Sequence, residues 1–81
     1  MENTNKWTNE NDKLTRTFTF GNFVEAVDFV NKIAPLSEKA NHHPDIEIFS
    51  YKNVKIKLST HDAGDKVTEK DIKLSKEIDR I

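Results

Sequence analysis

The sequence predicts an α+β domain: an antiparallel sheet of about four strands with two helices packed on one face, in the order strand-strand-helix-strand-strand-helix. Three observations predict it. Apolar and polar residues alternate strictly from Leu14 to Phe20, and from Phe23 the apolar spacing becomes helical. Period-two alternation then returns after Pro44, before a capping box opens a last helical stripe.

Residues 1–13 are rich in Asn, Thr, Glu and Lys, with Trp7 the one large apolar side chain after Met1. A partly disordered start with a short edge strand around Trp7 is expected. Leu14, Arg16, Phe18 and Phe20 then share one face, and Thr15, Thr17 and Thr19 the other, which describes a half-buried strand. Arg16 interrupts the apolar face and is placed near the sheet rim.

Gly21 ends that strand. Asn22 is a natural N-cap with Glu25 at the capping-box position. Phe23, Val27, Val30 and Ala34 recur at i, i+4, i+7 and i+11, flanked by Ala26, Phe29 and Ile33, as on an amphipathic helix. Pro35 removes a backbone donor, so a kink or restart is expected near Ile33–Leu36. Pro44 disfavours helical geometry in the residue before it, and the helix should finish by Asn41 or His43.

Ile46 and Ile48 alternate with polar neighbours, and Val54, Ile56 and Leu58 alternate with Lys55 and Lys57. Ser50-Tyr51-Lys52-Asn53 between them suits a hairpin loop. By parity Val54, Ile56 and Leu58 face the helices, so Lys55, Lys57, Ser59 and His61 project the other way or lie at the strand's exit. Thr68-Glu69-Lys70-Asp71 is a capping box with Val67 and Ile72 placed as a hydrophobic staple, and Leu74, Ile78 and Ile81 form the last apolar stripe.

Eighty-one residues make one domain, 1–81, without repeats or a linker. A chain this size buries only about 60–65% of the surface its unfolded form exposes, so self-association as a homodimer or homotetramer is expected. Thirteen basic and fourteen acidic residues are interspersed, with a pI near 6.3. That leaves no electrostatic footprint for direct nucleic-acid or membrane binding. The absence of Cys excludes thiol catalysis, disulfides and thiolate metal sites. With no long apolar run and a polar start, the expected location is cytoplasmic.

What remains for chemistry is histidine, whose unperturbed pKa of about 6.5 allows proton transfer near neutral pH. The three occur in His42-His43-Pro44 and in Ser59-Thr60-His61-Asp62-Ala63-Gly64, with Tyr51 between. His42 and His43 also fit a solvated helix end, where a cationic ring favours the dipole. His61 also fits a strand-end surface residue. Glu38 stands four residues before His42 and could hold its ring, or be an ordinary exposed pair. Asp71 is accounted for by the capping box, Asp62 by an Asx-type brace of its turn, and Pro44 by stopping the helix. A zinc site is disfavoured because adjacent histidines do not share the i, i+4 face of helical zinc motifs.

His42-His43-Pro44, Tyr51, His61 after nine intervening residues, and the following Asp71 together resemble the signature of the pterin-4a-carbinolamine dehydratases, also known as the dimerisation-cofactor family. Phe18-Thr19-Phe20, Asn22-Phe23, Glu25-Ala26 and Thr68-Glu69-Lys70-Asp71-Ile72 extend the likeness from about Trp7 to Ile81. Six residues separate Pro44 from Tyr51 where five is commoner, and the turn after Gly64 is one residue longer than usual. The resemblance implies a hydro-lyase, a 4a-hydroxytetrahydrobiopterin dehydratase that eliminates water to give quinonoid dihydropterin by histidine acid/base catalysis, with no metal or redox cofactor. It implies His42 and His61 as the acid/base pair and His43 as a substrate-binding residue. Glu38, Thr60 and Asp62 are placed near the pterin, and Pro44, Tyr51 and Asp71 in supporting positions. Relatives that act as dimerisation or assembly cofactors make a non-enzymatic protein partner the alternative.

Overall fold

The computed structural model describes residues 7–81, so residues 1–6 of the partly disordered start expected over residues 1–13 lie outside the described residues. Four strands and two helices follow in the predicted order: β1 (Thr8–Glu10), β2 (Lys13–Thr19), α1 (Phe23–Ala40), β3 (Asp45–Phe49), β4 (Asn53–Leu58) and α2 (Glu69–Asp79). One 3₁₀ turn, His61–Ala63, lies between β4 and α2. The sheet order is β1-β2-β4-β3 and every pair is antiparallel. Among the described residues no helix is long and apolar enough to cross a membrane.

Asn11 and Asp12 both take positive φ, 53° and 62°, which is the geometry of a tight two-residue hairpin turn. Register sets the faces. Leu14, Arg16 and Phe18 of β2 lie opposite Leu58, Ile56 and Val54 of β4, and Ile46 and Ile48 of β3 lie opposite Ile56 and Val54. Val54, Ile56 and Leu58 are wholly buried under the helices, joined by Phe18, Ala26, Phe29, Ile33, Leu74 and Ile78. Phe29 packs between Phe18 and Phe20, with ring centroids 4.7 and 4.9 Å away. The other face carries Lys55 and Lys57 between the threonines of β2 and the acids Asp45 and Glu47 of β3.

Several expectations change. Arg16 is not at the rim: β2 is an inner strand, and the arginine lies mid-strand with its guanidinium 4.4 Å from the Phe18 ring centroid and 2.9 Å from Asp79. Asp79 also accepts from the Trp7 indole N–H at 2.9 Å, clipping the chain before β1 to the end of α2. The buried line of α1 is Ala26, Phe29, Ile33 and Ser37, the flanking row of the expected wide stripe, and Phe23 is 53% exposed. Phe29 and Ile33 are the residues that meet the sheet's aromatic corner, and that decides which of two adjacent stripes goes inward.

The helix also runs through Pro35 without restarting. Pro35 and Asn31 are both exposed, so the Asn31 carbonyl that loses its donor faces water. In α2, Ile78 is buried in the domain's own core while Ile81 lies beyond the helix and is 43% exposed. Ile72, read as the partner of Val67 in a staple, is 45% exposed.

Candidate active site

Helix α1 ends in a Schellman arrangement. Asn41 takes left-handed geometry at φ 50°, its N–H donates to the Glu38 carbonyl, and the His42 N–H donates to Ser37. Asn tolerates this conformation better than other side chains with a Cβ. The turn ends the helical row before His42, so Glu38 and His42 are no longer one helical turn apart. The histidine ring swings inward and is only 10% exposed.

Its partner there is Asp71, not Glu38. His42 Nε2 lies 2.5 Å from Asp71 Oδ1, and the Asp71 side chain is wholly buried at the start of α2. The same carboxylate completes the capping box by accepting from the Thr68 N–H at 2.8 Å, and accepts from the Thr60 hydroxyl at 2.9 Å, both on Oδ2. Thr60 in turn lies 2.5 Å from the Thr68 hydroxyl. A carboxylate accepting on both oxygens assigns the protons by elimination: Nε2–H of His42 donates to Oδ1, Thr60 donates to Oδ2, and Thr68 donates to Thr60. The lone pair of a neutral His42 is therefore on Nδ1.

Glu38 meets His43 instead, at 2.5 Å between Oε2 and Nε2, in an exposed pair. Pro44 follows and β3 begins at Asp45. His61 opens the 3₁₀ turn on the surface, 92% exposed, and its Nδ1–H donates to Asp65 at 3.0 Å. That hydrogen bond and the Asp65 charge raise the His61 pKa above 6.5, with a smaller contribution from Asp62. Gly64 closes the turn at φ 81°, where a side chain would be strained, and its N–H donates to the His61 carbonyl.

Asp71 is thus the joint between the elements that carry the histidines: His42 binds it directly, and Thr60, the residue before His61, binds it from the exit of β4. Thr60 is buried, with its hydroxyl engaged inside this network. Tyr51 is not brought to the histidines. It sits in the β3–β4 loop at the other end of the strands, roughly 20 Å away along β4. Asp65 was not singled out from the sequence, though its i, i+4 spacing from His61 was a usable signal.

His42 lines a cavity of about 360 Å³ between the end of α1 and α2, walled by Leu36, Ala40 and Leu74; His43 and His61 are not among its lining. Among the described residues no three His, Asp or Glu side chains converge as metal ligands would. Two imidazoles are thus held by different carboxylates, one largely buried beside a cavity and one in solvent with a raised pKa.

The chain matches the family model of pterin 4 alpha carbinolamine dehydratase over residues 1–81. It is 49% identical over 75 residues to a protein of Sulfolobus acidocaldarius provisionally named pterin-4-alpha-carbinolamine dehydratase, an alignment covering 93% of this chain and 80% of that one. A protein of Picosynechococcus with the same provisional name is also 49% identical, over 94% of this chain and 80% of its own length. A crystal structure of a transcriptional coactivator/pterin dehydratase from Brucella melitensis superposes with a TM-score of 0.82 at 33% identity, covering 91% of this chain and 79% of that one. A pterin dehydratase-like protein described as a RuBisCO assembly factor in the alpha-carboxysome shares the fold at TM-score 0.77 and 24% identity, covering 95% and 89%. With the family model spanning the whole chain and close relatives aligned along more than nine-tenths of it, the chain belongs to the pterin-4-alpha-carbinolamine dehydratase family.

Proposed function

We propose that this protein is a 4a-hydroxytetrahydrobiopterin dehydratase that works by histidine acid/base catalysis. The observation that carries the reading is the bond from His42 to the buried Asp71, which holds one imidazole in a single tautomer at the edge of a cavity. His61, protonated more readily than a free histidine because of Asp65, is the acid. It gives its Nε2 proton to the C4a hydroxyl; the C–O bond breaks and its electron pair leaves with water. His42 takes the proton of a ring N–H on Nδ1, and the N–H electron pair closes the C=N bond of the quinonoid product. Solvent returns the proton from His42 to His61. His43, steadied by Glu38, binds the pterin, and Asp62 adds negative charge beside His61.

The test is dehydration of chemically generated 4a-hydroxytetrahydropterin followed by ultraviolet absorbance. Wild-type protein that turns over no faster than the His42→Ala, His61→Ala double variant sinks the proposal. Self-association in the cytoplasm is part of the reading, supported by exposed Phe23 and Val24 on α1 rather than by Ile78, which the domain's own core consumes. Light scattering at monomer mass across micromolar concentrations would count against it.

A second reading, a non-enzymatic dimerisation or assembly cofactor, is favoured by the description of the Brucella melitensis relative as a coactivator as well as a dehydratase. Recovery of a stoichiometric protein partner, together with no pterin binding by calorimetry, would establish it in place of the enzyme.

A further inference from the structure

We infer that the cavity beside His42 is an anion subsite, and that the preferred substrate is a pterin whose side chain carries a phosphate or carboxylate group. The inference rests on the dehydratase chemistry of that reading and moves the preferred substrate from the neutral tetrahydrobiopterin to pterins with an anionic side chain. The lining of the cavity combines the apolar Leu36, Ala40 and Leu74 with three lysines, Lys39, Lys70 and Lys73. The one acid in the lining, Glu77, faces Arg80 at 3.8 Å. None of the three lysines has an ion-pair partner among the described residues.

Helix electrostatics do not account for these lysines. Lys39 in the last turn of α1 suits its dipole, but Lys70 and Lys73 lie in the first two turns of α2, the end where cations are disfavoured. Three lysines and one acid line this cavity in a chain of net charge −1. A cleft lined mainly by one sign of charge concentrates ligands of the opposite sign. Because His42 forms part of the same wall, a ring presented to His42 extends its substituent toward the lysines, and an anionic substituent meets two or three of them. A neutral dihydroxypropyl side chain would leave all three in water.

The test is isothermal calorimetry of the full chain with neopterin, whose side chain is neutral, neopterin monophosphate and pteroylglutamate. At about 50 mM salt at least one anionic ligand is expected to bind about tenfold more tightly than neopterin, with the phosphate and glutamate arms identifying which anion fits. The advantage should disappear at about 500 mM salt and in the Lys39→Gln, Lys73→Gln variant, whose substitutions are exposed and leave the core intact. Equal affinity for neutral and anionic pterins overturns the inference, as does an advantage that survives in the variant. Dehydration of a neutral 4a-hydroxytetrahydropterin is measured alongside. Turnover without any anionic preference removes the subsite alone, whereas no turnover and no binding of any pterin removes the dehydratase reading with it.

Discussion

Asp71 Oδ1 lies 2.5 Å from His42 Nε2, while Oδ2 of the same buried carboxylate caps α2 through the Thr68 N–H and accepts from Thr60. One side chain therefore terminates a helix, ties down the exit of β4 and sets the tautomer of the proposed base. Its removal has consequences of two kinds. Asp71→Ala leaves a nearly buried imidazole and a capping N–H without their acceptor, and should cost about 2–4 kcal/mol in urea unfolding. Asp71→Asn fills the same volume but can present an N–H to Nε2 and so favour the wrong tautomer. It should fold with a smaller loss and turn over about 10²-fold more slowly. An Asp71→Asn protein with wild-type kcat would dismiss the positioning role.

Asp65 is expected to govern the pH profile. It raises the His61 pKa, so the acid stays protonated to higher pH than a free histidine would. Asp65→Asn should move the basic limb of kcat against pH toward lower pH and leave the acidic limb in place. The linkage has the same sign: with the folded pKa above the unfolded value near 6.5, the pair's contribution to stability is complete below that value. It is lost as pH rises through the folded pKa. The ring is exposed, so the kinetic shift is the readout to trust, and titration of His61 by NMR in both proteins checks its cause.

Glu38 and His43 form an exposed pair, and substitution there should change stability by less than about 0.5 kcal/mol. Glu38→Gln and His43→Ala should instead raise KM severalfold with a smaller effect on kcat, as expected of residues that hold the substrate. A pure kcat loss in His43→Ala would transfer the chemistry to His43.

Asp79 clips Trp7 and Arg16 together. Arg16 is an inner-strand arginine whose side chain is 15% exposed, so Asp79→Ala leaves it short of its partner. A loss of about 1–2 kcal/mol is expected, since the carboxylate itself is partly solvated, accompanied by a red shift of Trp7 fluorescence.

Ser50 and Tyr51 both take left-handed backbone geometry, φ 48° and 55°. For a bulky residue such as tyrosine this is strained by roughly 1–2 kcal/mol, so Tyr51→Gly, which relieves the strain at some entropic cost, should raise the melting temperature slightly. A large fall instead would mean that the ring makes contacts worth more than the strain.

The elements themselves were legible because each depends on nearby residues. Alternation in Leu14–Phe20, the Asn22 cap, the stop before Pro44 and the Thr68 capping box all act over a few positions, and all are present. The wide apolar stripe read for α1 contained the buried Ala26, Phe29 and Ile33 beside Val27, Val30 and Ala34, and only packing on the sheet separates the two rows. Arg16 read as a rim residue because its partner, Asp79, lies 63 positions away. Glu38 read as the holder of His42 because helical spacing was carried past Asn41, where the left-handed turn breaks it.

By itself the sequence determined the strand and helix order, the reliance on histidine in a chain without cysteine, and the family frame that names the histidines. Tertiary structure decided that Asp71 serves His42, whereas Glu38 for His43 and Asp65 for His61 are pairings between near neighbours in the chain. It also gathered Lys39, Lys70 and Lys73 around one cavity. The physical reason is range. Periodicity and capping act within a turn or a strand, whereas the pairing of His42 with Asp71 spans 29 positions and exists only once both helices have packed onto the sheet.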